Sequence, residues 1–438
     1  MSTVEPTAPA ALPEPGFRLL VISSDTYPPT RVDVTILFGE ELAGRGHRID
    51  WILQSEADCA QDYVADWAGG RVWVGAANRR RSLLSRLRKH VAGIRNDARL
   101  FRLLKGDAYQ AVEVKDKFIS AVFALIAARW HGKRFIYWLS YPFPEEYLLR
   151  ASDGTARYPR LYRIRGAVFS FLLYRLLLPA ADHVFVQSEQ MRRVVGARGV
   201  PLSRLTAVPM GIRSRAPAVG TPVTPVTPVT PVTPVTPAAT GHLIPREHKS
   251  FLYLGSLARG RHIDFLLRVL ALVRPAVPEA RLYLVGGAED PEDEKYLREE
   301  AGRLGVASHT CFIGQLPQAQ ALRFVQEADV CVSPLYPTPV FDVASPTKLV
   351  EYMAMGKAVV VNSQPEQQML VEESGCGYCV PYQESAFAEA IVTLLREPHK
   401  TQVMGERGRS YVQEHREYAK IADIVEREML RIVGGRGH

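Results

Sequence analysis

The sequence of 438 residues is long enough for two domains, and its 47% hydrophobic and 23% charged residues are a typical globular composition. The formal net charge of +8 favours anionic partners such as nucleotide-sugars or phospholipid surfaces, and without a nucleic-acid motif we expect no nucleic-acid partner. Five scattered cysteines exclude a disulfide framework, and no apolar run reaches the roughly 18 residues that a membrane-spanning helix needs. These features predict a cytoplasmic globular protein.

The first half of the chain begins with a βαβ unit. Residues 1–16, which are rich in Pro and Ala, predict a disordered tail rather than a signal peptide. Strands at 17–22 and 48–53 flank a helix at 34–43, and this order indicates a parallel sheet. The loop after the first strand lacks GxGxxG, so a dinucleotide-binding site is not supported. We expect this doubly wound domain to span 17–212.

Polar residues follow three predicted strands of this domain. The strands end near residues 22, 114 and 139, and the carboxyl ends of parallel strands form the edge where such sheets bind ligands. We therefore expect the following residues to line one cleft: Thr30, Arg31, Asp116, Lys117, Ser140 and Tyr141.

Two basic stretches predict amphipathic helices. The first spans 79–105 and carries ten basic residues against a lone Asp97, and the second spans 160–178. Such a stretch suits either a helix lying on an anionic membrane or a core-packed helix with a solvated basic face. The sequence leaves both interpretations open, so contact with an anionic membrane is a hypothesis.

A low-complexity segment separates the two halves. Thr221–Pro237 repeats Thr-Pro-Val, and proline at every third residue favours an extended polyproline II linker. We assign 213–247 to this linker and 248–415 to a second doubly wound domain, in which strands and helices alternate. A final helix lies within 416–438.

The segment Ser345–Lys357 is the most informative stretch of the second half. Ser345 is predicted to cap a short helix that precedes a buried strand at 358–361. The start of this helix is a candidate anion site, because Thr347 and Lys348 add a hydroxyl and a cation to its free amides. Glu351 lies one turn further on and suits a ribose or sugar hydroxyl. The alternative is an ordinary capped helix.

Seven motifs keep their order and spacing across both halves. They are ADHVFVQS at 181–188, VPMGI at 208–212, YLGSL at 253–257, LVGG at 284–287, FIG at 312–314, ADV at 328–330 and the segment Ser345–Val361. Together they resemble the retaining family-four glycosyltransferases (glycosyl transferases group 1) over about residues 17–430. The resemblance implies the GT-B fold, in which two Rossmann-like α/β domains face a cleft and the last helix crosses back to the first domain.

The resemblance also implies that the second domain binds a nucleotide-sugar donor and the first domain the acceptor. Arg259 and Arg261 resemble the basic pair that meets the diphosphate, and Ser256 stands where the family's arginine follows a glycine. Glu351 resembles the second member of the paired-glutamate motif and is expected on the ribose hydroxyls. The complete predicted donor set is Ser256, Arg259, Arg261, Gly286, Gly314, Ser345, Thr347, Lys348, Leu349 and Glu351.

The chain departs from the family pattern at two places. Val343 stands where the first glutamate of the pair is expected, which makes the adjacent Asp342 a candidate catalytic carboxylate. The histidine that commonly follows the fourth strand is missing from residues 139–142. Asp116 and Lys117 are therefore the candidate catalytic residues of the first domain.

The implied reaction moves one sugar, with retention, from a nucleoside diphosphate donor to a hydroxyl of a glycan or lipid-linked acceptor. A UDP-sugar is favoured over a GDP-sugar. Cations and a helix start aimed at the leaving diphosphate would stabilise its charge, so we expect no metal or other cofactor. Two alternatives stay open: a nucleotide-sugar 2-epimerase on the same fold, and a non-catalytic nucleotide-sugar-binding subunit. A membrane-borne acceptor would place the protein at the inner face of the membrane.

Overall fold

A computed structural model describes residues 16–77, 91–154, 156–213, 242–288 and 290–435. The predictions for the N-terminal tail, the Thr-Pro-Val repeat and the first part of the basic stretch, up to its residue 90, lie outside these residues. The described residues confirm the α/β class, with two largely parallel sheets flanked by helices.

The first sheet and its helices come from residues up to Ala207. The strands are β1 (Arg18–Tyr27), β2 (Arg48–Ser55), β3 (Tyr63–Trp67), β4 (Gly70–Gly75), β5 (Ala111–Lys115), β6 (Arg134–Leu139), β7 (His183–Val186) and β8 (Leu205–Ala207). The helices are α1 (Asp33–Leu42), α2 (Leu100–Leu103), α3 (Ile119–Trp130), α4 (Phe143–Ser152), α5 (Pro159–Phe171), α6 (Leu178–Ala180) and α7 (Glu189–Ala197).

The first sheet has the strand order β3-β4-β2-β1-β5-β6-β7-β8. Strand β1 pairs in parallel with β2 and β5, so the loops that follow β1 and β5 leave the same edge, as predicted. The β3–β4 pair is an antiparallel hairpin that the sequence analysis did not predict.

Helix α4 lies in a segment to which the sequence analysis assigned no element. Proline occupies one of its first positions, and Glu145 and Glu146 lie in its first turn. Both features favour a helix start, because proline needs no hydrogen-bond partner there and carboxylates complement the helix dipole.

The second sheet and its helices follow from residue 249. The strands are β9 (Lys249–Leu254), β10 (Ala280–Val285), β11 (Thr310–Gly314), β12 (Val330–Ser333), β13 (Ala358–Asn362) and β14 (Gly377–Val380). The helices are α8 (Asp264–Val273), α9 (Pro291–Arg303), α10 (Gln318–Glu327), α11 (Pro339–Asp342), α12 (Thr347–Ala354), α13 (Pro365–Ser374), α14 (Glu384–Arg396), α15 (Pro398–His415) and α16 (Tyr418–Gly434).

The second sheet has the strand order β11-β10-β9-β12-β13-β14, and its paired strands run parallel. Strand β13 is fully buried, as the apolar run at 358–361 predicted. Strand β14, which follows the free Cys376 and contains the free Cys379, was not predicted. All six carboxyl ends lie at one edge, which is where the predicted donor residues belong.

The chain divides into two compact units. The described residues within 1–138, 176–184 and 422–438 form the first unit, and those within 139–175 and 185–421 form the second. The domain boundaries derived from the sequence stay a prediction. None of the described helices is long and apolar enough to cross a membrane.

The greater part of helix α16 belongs to the first unit. The Arg45 guanidinium donates to Asp423 at 2.7 Å and to Glu426 at 2.5 Å. The ring of His47 lies 2.7 Å from the other oxygen of Glu426, and desolvation lowers the pKa of this histidine. These contacts hold the end of the chain in the first unit.

Candidate active site

Three glycines end neighbouring strands of the second sheet with left-handed backbone angles. The φ angles of Gly255, Gly286 and Gly314 are 150°, 139° and 82°. A Cβ atom at Gly286 would collide with the carbonyl oxygen of Gly255, and one at Gly255 would lie 3.0 Å from the Lys348 ammonium. Only glycine lets these backbones approach each other and the lysine so closely. Gly286 and Gly314, which the sequence predicted as donor residues, therefore shape the floor of the site.

Lys348 is a cation in the first turn of α12. Its Nζ lies 3.9 Å from the centroid of the buried Tyr253 ring, and among the described residues it forms no ion pair. Desolvation and the nearby Arg261 lower the pKa of Lys348 to about 7, although Glu351 acts in the opposite direction. A partly buried cation with a lowered pKa gains stability when an anion binds beside it.

Arg259 and Arg261 lie in the loop after β9, in the short 3-10 turn Arg259–Arg261. The guanidinium carbon of Arg259 lies 4.3 Å from the Tyr296 ring centroid, and that of Arg261 lies 5.0 Å from the Phe341 ring centroid. Both arginines are exposed and form no ion pair with another described residue. The rings hold two guanidinium groups in place while their charge stays free for a ligand.

His262 follows this turn, and the sequence analysis missed it. It has a left-handed backbone with φ of 53°, and its ring stacks on Tyr336 at 3.9 Å between centroids. A non-glycine residue in this conformation is uncommon and often marks a functional loop. The amino-acid sequence contains no signal for this backbone angle, because the ring stack depends on Tyr336, which lies more than 70 positions further along the chain.

Ser345 does not cap the helix, which corrects the sequence prediction. Helix α12 begins at Thr347, Pro346 takes the cap position, and no side chain caps the helix. The Ser345 hydroxyl instead accepts from the Met210 amide at 3.0 Å and donates to Glu366 at 3.3 Å. This hydroxyl is directed into the protein because its partners lie there.

The first turn of α12 contains two further predicted donor residues. Thr347 is half-buried at the helix start. The Leu349 side chain is fully buried in the core, and its amide donates to the Pro346 carbonyl at 3.1 Å. Leu349 therefore anchors the first turn of the helix in the core.

Glu351 lies on α12 close to Lys348. Its Oε1 accepts a hydrogen bond of 2.7 Å from the Gln318 side chain, and burial raises the pKa of Glu351. Gln318 begins α10 just after the β11 strand end, and the sequence analysis did not single it out. The signal that could have identified Gln318 is its position, because a polar residue at the start of a helix that follows a strand lies at the ligand-binding edge of such a sheet.

Ser256 and Asp342 complete the predicted residues of this edge. Ser256 is exposed, and its hydroxyl accepts from the Ala258 amide at 3.2 Å. Asp342 ends α11, is half-buried, and has a pKa raised by desolvation. The buried Gln364 side chain donates to the carbonyls of Asp342 and Ala344 at 3.2 Å and 3.0 Å, which fixes the loop before α12.

A cavity of about 130 Å³ reaches Asp342. Glu145 and Arg198 line it together with apolar side chains, and their side chains are 2.5 Å apart. The Tyr174 hydroxyl donates to the same Glu145 oxygen at 2.9 Å. The other oxygen of Glu145 is buried without a partner among the described residues, so a ligand hydroxyl could donate to it.

In the first unit, the loop after β1 and the end of β5 meet in a network of charges. The Lys115 ammonium lies 2.7 Å from Asp33 and 3.4 Å from Asp25. Arg31 binds Asp33 through two hydrogen bonds of 3.0 Å and 2.9 Å. The two cations outweigh desolvation and hold the pKa of Asp33 at about 2. Of this network, only Arg31 was a predicted site residue.

The other predicted residues of the first unit lie beside this network. Thr30 is exposed next to Arg31. Asp116 is buried, with a left-handed φ of 57°, and its amide donates to the Trp138 carbonyl at 3.2 Å. Lys117 instead binds both oxygens of Asp97, at 2.9 Å and 2.7 Å.

Ser140 and Tyr141 follow β6 and belong to the second unit. Ser140 is buried and Tyr141 half-buried, with its ring 4.9 Å from that of Phe143. Desolvation and the adjacent Glu146 raise the pKa of Tyr141 to about 12, and Arg261 counteracts them. Tyr141 therefore stays a neutral hydroxyl within the electrostatic range of a predicted donor arginine.

The candidate site of the second unit thus combines two guanidiniums and one ammonium, which form no ion pair with another described residue, with the start of α12. Among the described residues, no group of three or more His, Cys, Asp or Glu side chains is arranged to hold a metal ion. The chemistry available is charge stabilisation of a bound anion by fixed cations and amides.

Two protein-family profiles match the chain. Residues 37–211 match the glycosyl transferase 4-like domain, and residues 248–397 match the glycosyl transferases group 1 domain. The second match contains every predicted donor residue. No curated protein sequence gives a significant match.

Several solved structures share the fold along nearly the whole chain. Sucrose-phosphate synthase from Thermosynechococcus elongatus has a TM-score of 0.69 at 20% identity and covers 96% of this chain and 100% of its own. Anabaena HepE, in complex with UDP and glucose, has a TM-score of 0.62 at 14% identity, with 94% and 99% covered. WaaG, a glycosyltransferase of lipopolysaccharide biosynthesis, has a TM-score of 0.61 at 15% identity, with 95% and 100% covered.

These likenesses show the fold, and the two profile matches show the family. Both agree with the resemblance that the sequence motifs indicated. The chain therefore belongs to the glycosyl transferases group 1, with a glycosyl transferase 4-like domain ahead of the group 1 domain, and has the GT-B fold.

Proposed function

We propose that this glycosyltransferase is a retaining enzyme that uses a UDP-sugar. The observation that carries the proposal is a set of three cations that form no ion pair with another described residue: Lys348 in the first turn of α12, and Arg259 and Arg261 in the loop after β9. A bound nucleoside diphosphate would supply negative charge to pair with these three cations. HepE, a structural neighbour, was solved with UDP and with UDP-glucose, which supports uridine as the base.

The cations would act on the leaving group. As the glycosidic bond breaks, negative charge develops on the diphosphate oxygens, and fixed cations stabilise it more than they stabilise the bound donor. The leaving phosphate could accept the proton of the acceptor hydroxyl, which accounts for the absence of the histidine after β6. Thr347, with the free amides of the helix start, would hold the phosphate, and Glu351 would accept from the ribose hydroxyls.

The transferred sugar would occupy the cavity beside Asp342. A carboxylate there, together with the unpartnered oxygen of Glu145, suits the hydroxyl groups of a sugar. Asp116, Thr30 and Arg31 would face the acceptor, which we take to be a glycan or lipid-linked hydroxyl compound. We place the enzyme at the cytoplasmic face of a membrane.

Thermal unfolding with a panel of nucleotides tests the donor site. The purified chain is heated with UDP, GDP, ADP or dTDP, and with uridine as the control that lacks phosphate. A ligand at 100 times its dissociation constant stabilises the folded state by about 2.7 kcal/mol. We expect UDP to raise the melting temperature most and uridine to leave it unchanged.

The Arg261→Gln variant should lose most of the UDP effect and most of the donor hydrolysis measured without acceptor. If no nucleotide shifts the transition, the assignment of the three cations to a diphosphate is wrong. Tight UDP binding without hydrolysis or transfer on any acceptor would instead favour a non-catalytic binding subunit. The anomeric configuration of the product, read by NMR, tests retention.

A further inference from the structure

Helix α5 packs on only one side. Gly166 faces α4, where a Cβ atom would lie 2.8 Å from the Leu148 side chain. Tyr162 and Phe169, on the same face, lie with their ring centroids 5.8 Å and 6.0 Å from that of Tyr147. Small and aromatic residues at helical spacing form this face, which contains the surface that α5 buries against α4.

The opposite face of α5 is apolar and exposed. Its members, which we call the α5 stripe, are Leu161, Ile164, Val168 and Phe171, and they are 60%, 62%, 54% and 68% exposed. Their spacing of three, four and three residues places them in one row along the helix. Scattered apolar residues on a surface are ordinary, but a continuous row of four large side chains indicates a binding surface.

The sequence around the α5 stripe is basic. From residue 154 to residue 181 the sequence contains no Asp or Glu and five arginines, at 157, 160, 163, 165 and 175. Arg160 and Arg163 are exposed and form no ion pair with another described residue. Arg165 lies with its guanidinium carbon 4.4 Å from the Tyr147 ring centroid, at the border between the packed and the exposed face.

We propose that the α5 stripe and its arginines dock on an anionic lipid bilayer. The four apolar side chains would enter the boundary between headgroups and acyl chains, and the flanking guanidiniums would bind lipid phosphates. This inference deepens the membrane location in the proposed function by naming the surface. It does not depend on the donor chemistry.

The charge pattern decides against other occupants. A second copy of this chain, docked symmetrically through the α5 stripe, would bring two basic segments of five arginines each together, and like charges at an interface oppose association. A nucleic acid would satisfy the arginines but leave the four apolar side chains without a partner. A bilayer with anionic headgroups offers both phosphates and an apolar interior.

Vesicle co-sedimentation of the full chain tests the proposal. The vesicles are phosphatidylcholine alone, or phosphatidylcholine with roughly one-third phosphatidylglycerol. The stripe variant is Ile164→Ser with Phe171→Ser. The matched control is Leu272→Ser with Val403→Ser, which removes two apolar side chains, 50% and 36% exposed, from other helices of the same unit. A charge variant combines Arg160→Gln and Arg163→Gln.

We expect wild type and control to bind the anionic vesicles and not the neutral ones. The stripe and charge variants should each bind about tenfold more weakly or worse. Thermal unfolding without lipid confirms that each variant is folded, and the UDP shift should be equal in all four proteins. A failed donor site would therefore show in the UDP shift, and a failed docking surface in the vesicle binding.

The proposal is wrong if wild type stays in the supernatant with anionic vesicles, or if the control loses as much binding as the stripe variant. A dimer of wild type in solution that the stripe variant abolishes would assign this face to a second copy instead.

Discussion

Two lysines, one at the ligand edge of each sheet, differ in their partners. Lys115 at the end of β5 is fully buried and bonded to Asp33 and Asp25 at 2.7 Å and 3.4 Å. Lys348 at the start of α12 is partly buried against an aromatic ring and has no carboxylate among the described residues. Burial is complete for Lys115 and partial for Lys348, but among the described residues only Lys115 is neutralised by carboxylates.

The comparison teaches how to separate a structural charge from a ligand site. A buried pair is self-sufficient, and removing one member leaves the other uncompensated. An unpaired cation near a helix start disfavours the folded state until an anion arrives, so its presence indicates binding rather than stability. The following predictions test this difference, beginning with the largest effect.

Lys348→Met should reduce turnover strongly and spare the fold. Loss of one preorganised charge facing the leaving group reduces turnover by about 10²- to 10³-fold. Initial rates of donor hydrolysis, with the UDP thermal shift beside them, measure the effect. Lys357→Met, which changes a half-buried lysine at the exit of the same helix, is the control and should keep the UDP shift. Normal turnover of K348M would contradict the assigned role.

The change in stability that Lys348→Met causes should depend on pH. Lys348 has a folded pKa of about 7, below its ordinary value, so the unfolded chain binds more protons between these two values. The cost of burying the ammonium is fully present below pH 7 and fades as the pH rises toward the unfolded pKa. K348M should therefore raise the melting temperature more at pH 6 than at pH 9. An equal change at both pH values would contradict the lowered pKa.

Lys115→Met should destabilise the folded state, because it removes the cation that partners two buried carboxylates, Asp25 and Asp33. We expect a loss of about 3 kcal/mol in the free energy of unfolding, near the lower end for buried pairs since Arg31 still faces Asp33. Urea denaturation measures it. In the control Lys133→Met, the partner Asp107 is fully exposed, so the loss should stay below about 1 kcal/mol. Equal losses in both variants would remove the distinction between the two lysines.

UDP binding should take up a proton. The arriving diphosphate raises the pKa of Lys348 from about 7, so affinity is greatest below pH 7 and falls by up to about tenfold per pH unit above it. Calorimetry near pH 8, in two buffers with different ionisation heats, measures the uptake while the UDP phosphate stays fully ionised. K348M should show none. A wild type whose affinity is flat between pH 7 and pH 9 would argue against Lys348 as the phosphate ligand.

Glu351→Gln should have the smallest effect. Loss of the charged acceptor on the ribose should weaken UDP binding by roughly tenfold, the range of one charge-assisted hydrogen bond. Dissociation constants for UDP and 2′-deoxy-UDP, measured with both proteins, isolate the contact. If Glu351 binds the ribose, the substitution should matter less with the deoxy compound. An identical loss with both nucleotides would place Glu351 elsewhere.

The sequence was a good guide wherever a pattern is local. Alternating strands and helices predicted both sheets, and glycines after strands located Gly286 and Gly314, because the chain must turn sharply where a strand ends. The apolar run at 358–361 predicted β13. The residues missed were those whose role depends on a distant partner: Gln318 on Glu351, His262 on Tyr336 and Gln364 on the loop before α12.

By itself, then, the sequence determined the α/β class and the family and predicted the cations of the candidate donor site, since periodicity and motif spacing lie along the chain. Only the tertiary structure decided which charges are neutralised. Lys115 and Lys348 look equivalent in sequence, as basic residues close to strand ends or helix starts. Their difference arises because folding brings Asp25 and Asp33 to the first and an aromatic ring to the second. Contacts of this kind depend on three-dimensional proximity, which no local pattern specifies.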